Sequence, residues 1–226
     1  MRLAPGTPSH AGPATVPELL ARHPVLRPPT STAGAAVTIV LREGAATTEA
    51  LLIERAMNPA DPASGEVALP GGHVDGTDGS LAATALRELR EEVGLGAADF
   101  SGPLRFVGVS PAPRFRLHVG VFAVGLAAVG GAPRVEDPRE VAHVFWLPWT
   151  ALQEGRLMNR EGDRGAVRVL ASIHDGHVVW GFTRRVLREF FGFPSEDPPE
   201  GPVFAREGSA EVASIPEATS EAREPR

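Results

Sequence analysis

Hydrophobic and polar positions change period several times along this chain, and each change marks an element. Gly34 to Leu41 (GAAVTIVL) is apolar and β-branched, the pattern of a buried strand. Glu43 to Thr48 predicts a turn, and Glu49 to Arg55 a second strand pairing back on the first. Residues 56–65 (AMNPADPASG) hold two prolines and no hydrophobic period, so a loop is expected there. Glu66 to Leu69 returns as a short strand that enters a glycine-rich loop, PGGHVDGTDG. From Ser80 the period becomes helical, with Leu81, Ala82, Ala85, Leu86 and Leu89 on one face. Ser80 or Asp78 suits the N-cap, and Gly94 followed by Leu95 suits a left-handed helix end.

The second half of the chain reads as strands with two short helices. Leu104 to Val109 and Leu117 to Leu126 are strands, separated by Pro111, Pro113 and arginines. Gly130 to Pro138 is a turn region, Glu140 to Leu147 (EVAHVFWL) a strand, and Pro148 to Leu152 the start of a short helix. Ala166 to Ile173 and His177 to Trp180 flank Asp175-Gly176, a two-residue hairpin signal. Thr183 to Phe191 is a closing amphipathic helix. Residues 1–33 are rich in Pro, Ala and Thr and form a partly ordered extension wrapping loosely over the surface, with a helical turn or two at Val16 to Ala21. One domain is expected over 34–193, and residues 194–226, dominated by Pro, Glu, Ser and Ala, are expected to be disordered.

The end of the helix after Ser80 breaks a local rule. Glu88, Glu91 and Glu92 crowd one patch, and like charges at i,i+4 cost roughly 0.2–0.5 kcal/mol. They also sit in the last turn, at the negative end of the helix dipole. A solvated acidic face, offset by Arg87 and Arg90, is the ordinary explanation. The Pro-Gly-Gly loop just upstream favours another: uncompensated local cost often marks function. A divalent cation would neutralise the patch, and carboxylate oxygens suit magnesium or manganese.

These residues resemble the Nudix box, in which Arg-Glu-apolar-x-Glu-Glu-x-Gly-apolar closes the motif; Arg87, Glu88, Leu89, Glu91, Glu92, Gly94 and Leu95 match it. The first half departs, with Asp78 in place of glutamate and one extra residue before Arg87. That variant is similar to the coenzyme A pyrophosphatase branch, as are Gly71-Gly72-His73-Val74-Asp75-Gly76-Thr77-Asp78, Thr84 to Glu88, the run from Glu140 to Trp146, and Trp180-Gly181-Phe182-Thr183. Between Leu51 and Gly72 the branch pattern is kept at Arg55, Gly65 and Pro70. It is altered at Ala56 and Leu69, in a loop that is one residue longer and lacks its usual histidine. The resemblance implies an α/β fold, a Nudix-type α/β/α sandwich with a mixed β-sheet. It further implies metal-dependent hydrolysis of a diphosphate linkage in coenzyme A or a derivative, giving 3′,5′-ADP and 4′-phosphopantetheine. Another nucleoside diphosphate derivative (ADP-ribose, a dinucleotide or a nucleoside triphosphate) is the alternative substrate, and a non-catalytic nucleotide-binding module the alternative class.

Several carboxylates on one helix can hold metal ions at fixed separation, which makes Glu88 and Glu92, then Glu91, the expected Mg²⁺ or Mn²⁺ ligands. Arg87 is expected to orient a glutamate through a bidentate pair, and Glu91 or Glu140 to serve as general base. Gly71 and Gly72 would admit metal or phosphate close to the backbone. Arg55, Arg114 and Arg116 are candidate substrate contacts, the last two on one side if their segment is extended.

Composition narrows the classes. Of 226 residues none is Cys, which excludes disulfides and thiolate chemistry. The formal charge of −6 lies mostly in residues 195–226, so the rest is near neutral, which argues against nucleic-acid binding. No apolar run approaches the roughly 18 residues of a membrane span, and the first residues lack the layout of a secretory signal. The expected setting is cytoplasmic, with a small-molecule nucleotide-derived substrate; a homodimer is left open. His73, His143, His174 and His177 lack zinc-ligand spacing, and Ser64 and Ser80 lack the context of a nucleophile.

Overall fold

The computed structural model describes residues 14–23, 33–162 and 165–194. The uninterrupted apolar run forms β1 (Ala35–Glu43), and the chain returns antiparallel as β2 (Thr48–Arg55), with Leu41 opposite Ala50. After the loop come β3 (Val67–Ala68) and β4 (Gly71–His73), then the long helix α2 (Leu81–Val93). The next elements are β5 (Arg105–Ala112), β6 (Leu117–Gly125) and β7 (Val141–Pro148). These seven strands make one mixed sheet in the order β3-β2-β1-β6-β5, with β4 on β1 and β7 on β2. The β1–β6 pair is parallel. A separate three-stranded sheet holds β8 (Arg156–Gly162), β9 (Gly165–His174) and β10 (His177–Trp180). The helix α3 (Gly181–Phe191) closes the described chain.

Side chains of β1 alternate between two cores, as the strand period requires. Ile39 and Leu41 face one layer, with Leu52, Leu147, Val179 and, from α3, Val186, Leu187 and Phe190. Val40 faces the other, with Leu51, Ile53, Leu89, Val93 and Leu95. The central sheet is therefore sandwiched between α2 on one side and α3 on the other, the α/β/α arrangement expected.

Four details differ from expectation. The glycine loop is partly strand: Gly71 and Gly72 pair with Val37 and Ala36. Nothing in two glycines signals a strand, because the pairing is carried by backbone alone. Strand β8 was not foreseen at all; it is a mostly exposed edge strand whose pattern, RLMNREG, is too polar to register. The segment after β5 is not extended, since Pro113–Phe115 is a 3-10 turn and Arg116 is left-handed at φ 54°. Finally, residues 14–23 do not wrap loosely. The short helix α1 (Val16–Ala21) buries Val16, Leu19 and Leu20 in the same core as α3. Val16 N donates to Glu43 Oε1 at 2.7 Å and Thr48 Oγ1 to Ala14 O at 2.8 Å, which fixes this segment to the β1–β2 turn. The disorder expected after Pro194 lies outside the described residues.

Leu19, only 2% exposed, tests the docking of α1. Leu19→Ala should lower unfolding free energy in urea by about 2–5 kcal/mol, the usual range for a buried leucine. A loss under about 1 kcal/mol would mean that α1 is an appendage.

Candidate active site

The site is built where α2 meets β4. Ser80 caps the helix by accepting from Ala83 N at 3.2 Å, and Gly94 ends it at φ 69°, with Leu95 N bonded to Leu89 O. After Thr84, the buried positions of the helix are Ala85, Glu88, Leu89, Glu92 and Val93. That is the spacing i, i+3, i+4, i+7, i+8 of a core-facing stripe, with glutamates at two of its five places. Glu88 and Glu92 are thus not on a solvated face. They are 8% and 2% exposed.

Both carboxylates lie against the glycine pair. Gly71 N donates to Glu92 Oε2 at 2.8 Å. A Cβ on Gly72 would stand 2.5 Å from Glu88 Oε1, and one on Gly71, at φ 149°, would stand 2.2 Å from Ala36 O. At Gly71 the backbone of β1 excludes a side chain, and at Gly72 a side chain would displace the Glu88 carboxylate from where it lies. Burial pushes the Glu88 carboxyl up, against Arg87. It pushes Glu92 up to about 8, with the charges of Glu88 and Glu140 adding and the Gly71 N–H and Arg55 opposing.

Arg87 holds the rim. Its Nε and Nη2 grip Asp78 at 3.1 and 3.0 Å, its Nη2 also donates to His73 O at 2.9 Å, and its Nη1 donates to Glu88 at 2.8 Å and Glu91 at 3.0 Å. The bidentate partner is therefore Asp78 and not a glutamate, because Asp78 sits square to the guanidinium fork while Glu88 and Glu91 share its remaining nitrogen. Arg87 and the N–H of Asp75 hold the Asp78 carboxyl well below the usual range, and Thr84 Oγ1 donates to it at 2.9 Å. In the sequence Asp78 stands out only as a candidate cap and a motif position. Its place nine residues before Arg87, across the helix start, was the available signal.

The remaining candidates scatter around this centre. Glu91 is exposed, with 55% of its side chain in solvent. Glu140 is exposed at the entrance to β7, where its carbonyl accepts from Ala56 N at 2.8 Å and its charge reaches Glu88 and Glu92. Arg55, at the end of β2, grips Asp61 at 2.8 Å, and its charge reaches Glu92. Arg114 is drawn to the loop after β2, donating to Glu66 and to Pro62 O at 2.5 Å each. Arg116 is exposed in the turn, and the two arginines do not share an extended face.

A family model described as the NUDIX domain matches residues 32–170. The chain belongs to the Nudix family. NudL of Salmonella paratyphi B, named an uncharacterized Nudix hydrolase, is 38% identical over 146 residues, covering 62% of this chain and 71% of that protein. Among solved structures, a NUDIX hydrolase from Alicyclobacillus acidocaldarius is 22% identical with a TM-score of 0.46, covering 74% of this chain and 94% of its own. The NUDIX domain of Shewanella oneidensis NrtR complexed with ADP ribose is 20% identical with a TM-score of 0.40, covering 61% and 85%. By the family match and the similarity to NudL, this Nudix protein is a hydrolase of the pyrophosphatase type, in a family whose members generally use divalent metal ions. No helix among the described residues is long and apolar enough to cross a membrane.

The donor set fits a hard divalent cation. Two buried carboxylates repelling each other, with their charged forms disfavoured by burial, gain most from a positive ion. Among the described residues no three acidic or histidine groups form a ready metal cluster. Glu88 and Glu92 alone would leave coordination positions for water, backbone carbonyl or substrate oxygen.

Without metal, Glu92 titrates near 8 in the folded protein against an ordinary 4.5. The folded state then holds the extra proton between those values, so this group's contribution is complete at low pH and is lost as pH rises through the window. In chelator, the parent should lose stability relative to Glu92→Gln by on the order of a few kcal/mol between about pH 5 and about pH 8.5. Parallel stability profiles in urea would contradict this.

Proposed function

We propose that this Nudix hydrolase cleaves the diphosphate of coenzyme A or a close derivative, releasing 3′,5′-ADP and 4′-phosphopantetheine. The buried Glu88–Glu92 pair against Gly71-Gly72 is the observation that carries the hydrolytic reading. The coenzyme A reading is supported by the Asp75 and Asp78 form of the box, the Thr84 to Glu88 run, and the Glu140 to Trp146 and Trp180 to Thr183 stretches.

In this reading Glu88 and Glu92 hold Mg²⁺ or Mn²⁺, with Glu91 at the exposed edge. A cation held by these carboxylates would supply positive charge to neutralise the diphosphate and to make an attacking water more acidic. Asp78 keeps Arg87 in place, and Arg87 in turn fixes Glu88 and Glu91, so the carboxylates need not reorganise when substrate arrives. Gly71 and Gly72 leave room at the backbone for a phosphate oxygen. Glu140 and Glu91 are the candidates to take a proton from the attacking water. Both are exposed, and Glu140 has no side-chain hydrogen bond among the described residues to release first. Arg55, whose charge reaches Glu92, is available to the diphosphate once it exchanges Asp61 for substrate. Residues 34–193 form the hydrolase unit.

Turnover with Mg²⁺ or Mn²⁺ across coenzyme A, ADP-ribose, NADH and dinucleotides, with products resolved by mass, tests the substrate. Coenzyme A should show the highest kcat/KM. A higher value for ADP-ribose or a dinucleotide would overturn the coenzyme A reading and leave the hydrolase. Glu92→Gln should keep the fold and lower kcat by about a hundredfold or more, as removal of one charge-stabilising group does. Turnover near that of the parent at saturating Mg²⁺ would overturn the metal-ligand role.

A further inference from the structure

Outside the carboxylate site, guanidinium groups gather around one indole. Trp180 ends β10 and is half-buried, with Arg160 Cζ 5.3 Å and Arg114 Cζ 5.9 Å from its ring centroid. The arginines come from distant segments, Arg114 from the turn between β5 and β6 and Arg160 from β8. Strand register explains the meeting. Trp180 lies opposite Ala171, and Ala171 opposite Arg156, so Arg156, Met158 and Arg160 project from the same face of the small sheet as the indole. Arg160 then reaches across that face to the ring, where the quadrupole attracts a cation.

Charge at the cluster is incompletely balanced. Glu66 pairs with Arg114, and Arg160 has no carboxylate partner among the described residues. The cluster also borders the carboxylate site through short links. Arg114 binds Glu66 and Pro62 O, in a segment whose Asp61 grips Arg55, and the charge of Arg55 reaches Glu92. Thr183 Oγ1 donates to Val67 O at 3.1 Å, tying the helix after Trp180 to the strand just before Gly71.

We propose that Trp180, Arg160 and Arg114 bind the phosphorylated nucleoside end of the substrate. The indole takes a base or sugar face, and the guanidinium groups pair with a ribose phosphomonoester outside the scissile diphosphate. Planar guanidinium matches phosphate oxygens bidentately, and an indole face accepts any base. Arg160 is the decisive contact, because Arg114 must first exchange Glu66 for the ligand while Arg160 has no carboxylate partner among the described residues to exchange. The substrate assignment rests on the diphosphate-hydrolase reading; the binding site does not.

Titration calorimetry of the full chain without metal, using adenosine 3′,5′-bisphosphate and adenosine 5′-monophosphate, tests this directly. The parent should bind the bisphosphate about tenfold more tightly, the weight of one charge-assisted contact, and Arg160→Gln should remove that preference. Trp180→Phe should weaken both ligands. Trp180 sits at the start of α3 and its variant is the one at risk of misfolding, so Arg160→Gln, checked by circular dichroism, decides. Equal binding of the two nucleotides by the parent, or a preference that survives Arg160→Gln, overturns the proposal. Turnover separates this from the hydrolase reading. If no diphosphate is cleaved while the binding preference persists, the hydrolase reading fails and the nucleotide site stands. If coenzyme A and 3′-dephospho-coenzyme A have equal kcat/KM in the parent, the site fails and the hydrolase stands.

Discussion

Two glutamates on the buried stripe of α2 are the constraint around which this molecule is arranged. An isolated carboxylate in an apolar environment is strongly disfavoured, and Glu88 and Glu92 are placed one turn apart in the core-facing row. Among the described residues a single direct hydrogen bond reaches Glu92, from Gly71 N, and Arg87 alone reaches Glu88. The burial of Ala85, Leu89 and Val93 against the sheet holds the helix in the rotation that buries the acids as well. Apolar packing therefore maintains an electrostatically unfavourable arrangement, as binding sites for cations require.

Much of the neighbouring structure serves that geometry. The β4–β1 pairing presents the Gly71 N–H and sets Gly72, which has no Cβ, against the Glu88 carboxylate. Asp78 takes the bidentate side of Arg87, which leaves a single nitrogen to join Glu88 and Glu91. A bidentate grip by a glutamate would occupy both of its oxygens; with Asp78 gripped instead, Arg87 takes one oxygen of Glu88 and one of Glu91. On the far side of the sheet, α1 and α3 share one core with Ile39 and Leu41, and so stiffen the strand on which β4 is laid.

How far this could be read from the residues depended on whether side chains carried the information. Strands β1, β2, β6 and β7 and the two long helices were legible, because burial on a sheet or helix face repeats in the sequence. Strand β4 was not, since Gly71-Gly72 has no side chain to pattern, and β8 was not, since it is an exposed edge. The apolar face of α2 was assigned to Leu81, Ala82, Ala85, Leu86 and Leu89; the core-facing row of its last turns instead includes Glu88 and Glu92. Hydrophobicity alone points away from two buried acids, and counting i, i+3, i+4, i+7, i+8 from Ala85 would have exposed them. The carboxylate patch itself was legible by its broken charge rule. Arg114 and Arg116 were expected on one extended face, and the turn at Pro113 separates them.

The central claim is that Glu92 is kept protonated at neutral pH by burial and gives up its proton to a cation. Calorimetric titration of Mg²⁺ or Mn²⁺ into metal-free protein at pH 7, repeated in buffers of different ionisation enthalpy, counts that proton. With the carboxyl near 8, binding should release about one proton per protein, as metal binding to protonated ligands does. Cation binding that releases no proton would contradict the account.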